Sequence, residues 1–106
     1  MAAAALAYTE KRDAPRDEVD YRARAYGGDA QPVGLQVVNM SAQGLMARVV
    51  GDRPVGERLK INLPVVGVIT AEVRWSLGGR IGCELDRPIS MADYYELLAA
   101  LLKGAR

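Results

Sequence analysis

From Val19 onward, apolar and polar residues exchange places at every second position, and the alternation restarts after each cluster of Gly, Pro, Asn or Asp. Successive side chains of a strand point to opposite faces, so this pattern prescribes a series of strands, each with one face to bury. Val19, Tyr21, Ala23 and Ala25 form the apolar face of a first strand, with Asp20, Arg22 and Arg24 opposite. After the Gly27-Gly28-Asp29 turn, Val33, Leu35 and Val37 alternate with Gly34 and Gln36 in a second strand that leads to Asn39. Leu45, Ala47 and Val49 alternate with Met46 and Arg48 in a third, which stops at Gly51-Asp52-Arg53-Pro54. Arg58 to Leu63 gives a fourth, ended by Pro64. Val66 to Ser76 is a long fifth, with Ile69, Ala71, Val73 and Trp75 on the spacing of an inner face and Arg74 outward. Gly78-Gly79 supplies the positive φ angles of a tight hairpin, and Arg80 to Leu85 returns as a sixth strand with Ile81, Cys83 and Leu85 on one side.

So many strands in 106 residues leave exposed edges unless the sheet closes, which favours a barrel over a sandwich. The period then changes. Ser90 can cap a helix with Asp93 three residues later, and Met91, Tyr94, Leu97, Leu98, Leu101 and Leu102 form an apolar stripe that Gly104 ends. A lone amphipathic helix buries such a stripe most simply across one mouth of the barrel. The expected fold class is therefore mainly all-β: a six-stranded antiparallel β-barrel with one C-terminal α-helix over about residues 90–103.

Residues 1–18 have no core-facing period. Their charges, Glu10, Lys11, Arg12, Asp13, Arg16, Asp17 and Glu18, are broken by Pro15, which disfavours helix at Ala14. This stretch reads as a flexible N-terminal arm preceding a single barrel domain over residues 19–104. Its alanine-rich start is too short to span a membrane and has no basic residues before it, so no membrane insertion is expected. With 14 Lys and Arg against 13 Asp and Glu, the net charge of +1 creates no large field for nucleic acid. There is no histidine, so the usual general base is missing, and the one cysteine, Cys83, can form neither an internal disulfide nor a Cys/His zinc cluster. The reading is a non-enzymatic protein of a reducing cytoplasm, with no metal and no cofactor.

Two motifs remain. Arg12 and Arg16 stand four apart with Lys11 directly before them, and after an interval of 22 residues come Asn39-Met40-Ser41-Ala42-Gln43-Gly44. Taken alone, the first is a solvated charged tail and the second an ordinary turn. In this order, ahead of and within a small β-rich domain, they resemble the signature of the PilZ family, R-x-x-x-R followed by D/N-x-S-x-x-G. The resemblance implies a barrel with a C-terminal helix and a bacterial receptor for the second messenger cyclic di-GMP.

Arginine suits that ligand, because its planar fork gives two hydrogen bonds to guanine O6 and N7 or two to phosphate oxygens. The resemblance implies that Arg12 and Arg16 wrap the ligand from the arm while Asn39 supplies an acceptor, Ser41 a hydroxyl, and Gly44 close approach and unusual φ angles. Asn39 stands where many family members have Asp and forgoes a charge-assisted bond. A basic residue at the place of Lys11 is similar to cases in which two stacked ligands are bound. Trp75 looks like the aromatic that in some members packs by a guanine, although its spacing points to the core. Arg48 and Arg74 are outward and could add phosphate contacts, solvated surface being their ordinary role; Cys83 reads as a small core residue.

The first functional reading is thus a stand-alone cyclic di-GMP receptor whose arm is ordered by ligand and whose changed surface is read by a separate downstream protein. A PilZ-like interaction module with weak or no ligand binding is the alternative. A small barrel binding single-stranded nucleic acid would need basic residues interleaved with several exposed stacking aromatics, and this chain has one Trp and no Phe.

Overall fold

The computed structural model describes residues 16–104. Six strands follow in order: β1 (Asp17–Tyr26), β2 (Pro32–Met40), β3 (Gly44–Val49), β4 (Arg58–Leu63), β5 (Gly67–Leu77) and β6 (Arg80–Leu85). One helix, α1 (Met91–Gly104), closes the described chain. All neighbours are antiparallel, and the order β1-β2-β3-β6-β5-β4 closes on itself because β4 pairs with β1. Among the described residues, closure leaves no edge strand to template aggregation.

The alternation becomes burial. Leu35, Val37, Leu45, Ala47, Leu59, Ile61, Ala71, Val73 and Ile81 all point into the barrel and are at most 2% exposed, whereas Arg22, Arg24, Lys60 and Arg80 stand outside. Gly78 and Gly79 take φ angles of 61° and 77°, which the two-residue turn between Leu77 and Arg80 requires and a β-branched residue resists. β1 begins at Asp17, two residues before the alternation suggests, so Arg16 stands at the foot of the strand.

The helix is set by Ser90, whose Oγ accepts from the Asp93 N–H at 3.2 Å, leaving Asp93 in the first turn beside the positive end of the helix. Tyr94, Leu97 and Leu101 join the same core as the barrel interior, with Leu98 partly buried. The buried stripe is narrower than the sequence suggests, since Met91 and Leu102 remain about half exposed. Tyr94 fixes the helix to the end of the barrel where β1 starts and β2 finishes: its hydroxyl lies 2.6 Å from Asp17 Oδ2 and 3.0 Å from the Met40 carbonyl oxygen. Burial and the adjacent carboxylate raise the Tyr94 pKa well above its ordinary value. Among the described residues, no helix is long and apolar enough to cross a membrane.

Candidate functional site

Strict alternation along β2 would put Asn39 on the same side as Val37, inside the barrel. Instead, the register slips. Val37 pairs with Ala47 but Asn39 pairs with Met46, so Val38 is an extra residue, and Asn39 emerges on the outer wall while Met40 turns in and is fully buried. A second bulge does the same in β5. Val73 pairs with Cys83 but Trp75 pairs with Gly82, so Arg74 is the extra residue there.

This overturns the core placement that the spacing of Trp75 suggests. The indole lies across Gly82 on the outside of the barrel; a Cβ on Gly82 would overlap its Nε1 and Cε2 atoms. Gly82 is buried because the ring covers it, and Trp75 itself is half-buried. Register then joins the two bulges into one row across the wall, Asn39 beside Met46, Met46 beside Gly82, Gly82 beside Trp75.

Arg16 reaches this row from the foot of β1. Its Nε and Nη2 both donate to Asn39 Oδ1, at 3.0 and 2.8 Å, and the Asn39 amide faces Met46 Sδ at 3.6 Å. Two of the five guanidinium N–H donors are thereby used, leaving three for an incoming acceptor. Arg16, Met46, Trp75 and Gly82 line a shallow hollow of about 180 Å³, bounded on its far side by the Arg74–Glu84 ion pair at 2.9 Å. A cation with free donors, an apolar floor and the edge of an indole suit a flat, anionic or acceptor-rich molecule. The Cys83 thiol, also beneath this wall, is pushed up to about 12 by burial and is no nucleophile at neutral pH.

Ser41 and Gly44 serve the turn below. Ser41 is 3% exposed, and its Oγ accepts from the Gln43 N–H at 3.1 Å while its own N–H bonds the Gly44 carbonyl at 2.8 Å. Gly44 does not adopt the unusual φ expected of it; its need is space, since a Cβ there would lie 2.6 Å from the Cys83 carbonyl oxygen. The structure therefore brings Arg16, Asn39 and Trp75 to one place and sets Ser41 and Gly44 in the turn beside it. Lys11 and Arg12 lie outside the described residues. Sequence reasoning did not single out Met46 and Gly82, whose importance follows only from register, or Tyr94 and Asp17, which tie the root of Arg16 to the helix. Among the described residues, no group of three or more Cys, Asp or Glu is placed to hold a metal ion.

No family model matches the sequence, and no curated protein matches it. Solved structures do match. The PilZ domain of CeSA from a cellulose-synthesizing bacterium superposes with a TM-score of 0.59 at 10% identity, over 87% of this chain and 99% of that one. The PilZ domain of YcgR from Escherichia coli, solved with c-di-GMP, superposes with a TM-score of 0.60 at 16% identity, over 89% and 92%. With its closed six-stranded barrel and C-terminal helix, the chain has the PilZ-domain fold.

Proposed function

We propose that the chain is a non-catalytic receptor of the PilZ family for cyclic di-GMP, bound on the outer wall by Arg16, Asn39 and Trp75 together with Arg12 and Lys11. The observation that carries this reading is the pair of bulges that turn Asn39 and Trp75 outward into one row, with the Arg16 fork already seated on Asn39. A guanine edge or a phosphodiester can take the three remaining Arg16 donors, while a purine lies against the indole. That the similar YcgR domain was solved with c-di-GMP supports the choice of ligand. Ser41 and Gly44 act from behind, by holding the turn that fixes the end of β2.

In this reading Lys11 and Arg12 close over the ligand from the far side, and a separate cytoplasmic protein reads the surface so formed. Trp75 is the sole tryptophan, so its fluorescence reports the site directly. Adding cyclic di-GMP to the full chain should change the emission saturably in the native protein and far more weakly in Arg16→Ala. An emission that does not respond, or responds equally in both, rejects the site. Bound ligand should also raise amide-exchange protection over residues 8–15, and equal protection with and without it rejects the arm's part.

A further inference from the structure

A second row of polar side chains crosses the same outer wall, further along the strands. Arg22 pairs with Gln36, Gln36 with Arg48, and Arg48 with Arg80, so three of four neighbours across β1, β2, β3 and β6 are arginines. Arg24 stands two residues from Arg22, opposite Gly34. Like charges directly opposite on paired strands destabilise a sheet, and Arg48 faces Arg80. Elsewhere the barrel neutralises its arginines, with Arg53 on Glu57, Arg58 on Asp86 and Arg74 on Glu84. Among the described residues, none of Arg22, Arg24, Arg48 and Arg80 has an ion-pair partner, and the nearby carboxylate Asp20 is taken by the Gln36 amide at 2.7 Å. In a chain of net charge +1, four arginines with no ion-pair partner among the described residues, offset by Asp20 at one end of the row, make a net positive patch.

The row borders a hollow of about 340 Å³, lined by Arg22, Gly34, Gln36, Arg48 and Val50 among others. Gly34 leaves a notch in it: nothing lies within 4 Å of where its Cβ would be. Large aliphatic side chains flank the arginines, Val50 at 96% and Leu77, opposite Arg80, at 79% exposure. At about 4.8 Å between strands, Arg22 lies about 10 Å from Arg48 along the row and about 15 Å from Arg80, the reach of three to five extended residues.

We infer that this wall docks an acidic, extended segment of a partner protein, with carboxylates on Arg22, Arg48 and Arg80 and one aliphatic side chain in the Gly34 notch. Charge complementarity selects the acidic partner. A surround that is mainly aliphatic, with Tyr26 two residues from Arg24 as the one exposed aromatic among the described residues of that face, selects a polypeptide over a nucleic acid, which would call for several stacking aromatics along the row. The surface is separate from the Arg16–Asn39–Trp75 row and does not depend on what that row binds.

The test is fluorescence anisotropy of a labelled eight-residue peptide carrying four glutamates around a central leucine, titrated with the full 106-residue chain at low salt. Binding is expected, with a loss of at least about tenfold in the double variant Arg22→Ala/Arg80→Ala and in Gly34→Leu, and with no binding of the glutamine version of the peptide. Three results overturn the proposal. One is no binding of the acidic peptide, and another is binding that neither variant alters. The third is a thymidine decamer binding more tightly than the peptide and losing as much in the double variant, which would make the row a nucleic-acid surface.

Discussion

Replacing Gly44 by alanine separates what the motif does for the fold from what it does for a ligand. The backbone φ of Gly44 is not in the left-handed region, so alanine can adopt it, and any cost must come from contact. The added Cβ would meet the Cys83 carbonyl oxygen at 2.6 Å, and ordinary contact begins at 3.4 Å, so β3 and β6 must part by about 0.8 Å at the Gly44–Glu84 pair. The obstacle is backbone, which cannot swing aside as a long side chain would. It is also held by its neighbours: the Gln43 carbonyl accepts from Leu85 N at 2.9 Å, and Leu45 beside it is fully buried. Overpacking of this kind costs about 1–3 kcal/mol, partly offset by roughly 0.5–1 kcal/mol from the lower chain entropy of alanine in the unfolded state. A net loss of about 1–2 kcal/mol is expected, read from urea unfolding followed by Trp75 emission with the slope unchanged. A variant as stable as the native chain, or more so, would refute the steric argument. If that stable variant had also lost cyclic di-GMP binding, Gly44 would be a ligand contact after all.

Tyr94→Phe removes a buried hydroxyl from Asp17 and the Met40 carbonyl, and urea unfolding should show a loss of about 1–2 kcal/mol. Because folding raises the Tyr94 pKa, its contribution is complete below its ordinary value of 10.0 and fades as pH rises beyond it, so the native protein should lose more stability than Tyr94→Phe on going above pH 10. Val65 has φ 70° beneath a hydrogen bond from Val66 N to the Pro64 carbonyl at 2.7 Å, a strained γ-turn for a β-branched residue. Val65→Asn should raise stability by about 1 kcal/mol, and an unchanged midpoint would count against strain there. Two stacked cyclic di-GMP molecules bring four phosphates together, and like charges about 4–6 Å apart repel by on the order of 3–4 kcal/mol at an effective dielectric near 20, so the ammonium of Lys11 should set stoichiometry. Calorimetry should count two ligands per native chain and one for Lys11→Leu; one site in the native chain would return Lys11 to a solvated lysine.

The barrel was legible because period-two burial is a property of each strand by itself, and the Gly78-Gly79 and Ser90 signals mark where elements begin and end. The outer site was not, because it depends on register between strands. A bulge changes the facing of every residue after it, and the single visible trace in β2 is the doublet Val37-Val38, where two apolar residues stand together before Asn39 and Met40. Read as a bulge, it sends Asn39 out and Met40 in. In β5, Val73-Arg74-Trp75 keeps perfect alternation and hides its bulge completely, so the spacing of Trp75 pointed inward while the strand pairing turned it outward. Gly82 likewise looks like any strand glycine until the indole is seen to occupy the space of its missing side chain. The chemistry of the Arg16 and Asn39 motif could be read from the residues, whereas its meeting with Trp75 is a fact of pairing across four strands.

The central claim is tested most directly by one calorimetric titration of cyclic di-GMP into the native chain and into Arg16→Ala. Arg16 is exposed and its two bonds to Asn39 lie at the surface, so the substitution should leave the thermal midpoint nearly unchanged. Loss of a charged, hydrogen-bonded ligand contact costs about 2–5 kcal/mol, so the native isotherm should be saturable and that of the variant weaker by at least about 30-fold. A native chain that neither releases nor absorbs heat of binding at any ligand concentration, or a variant that binds as tightly as the native chain, would contradict the account.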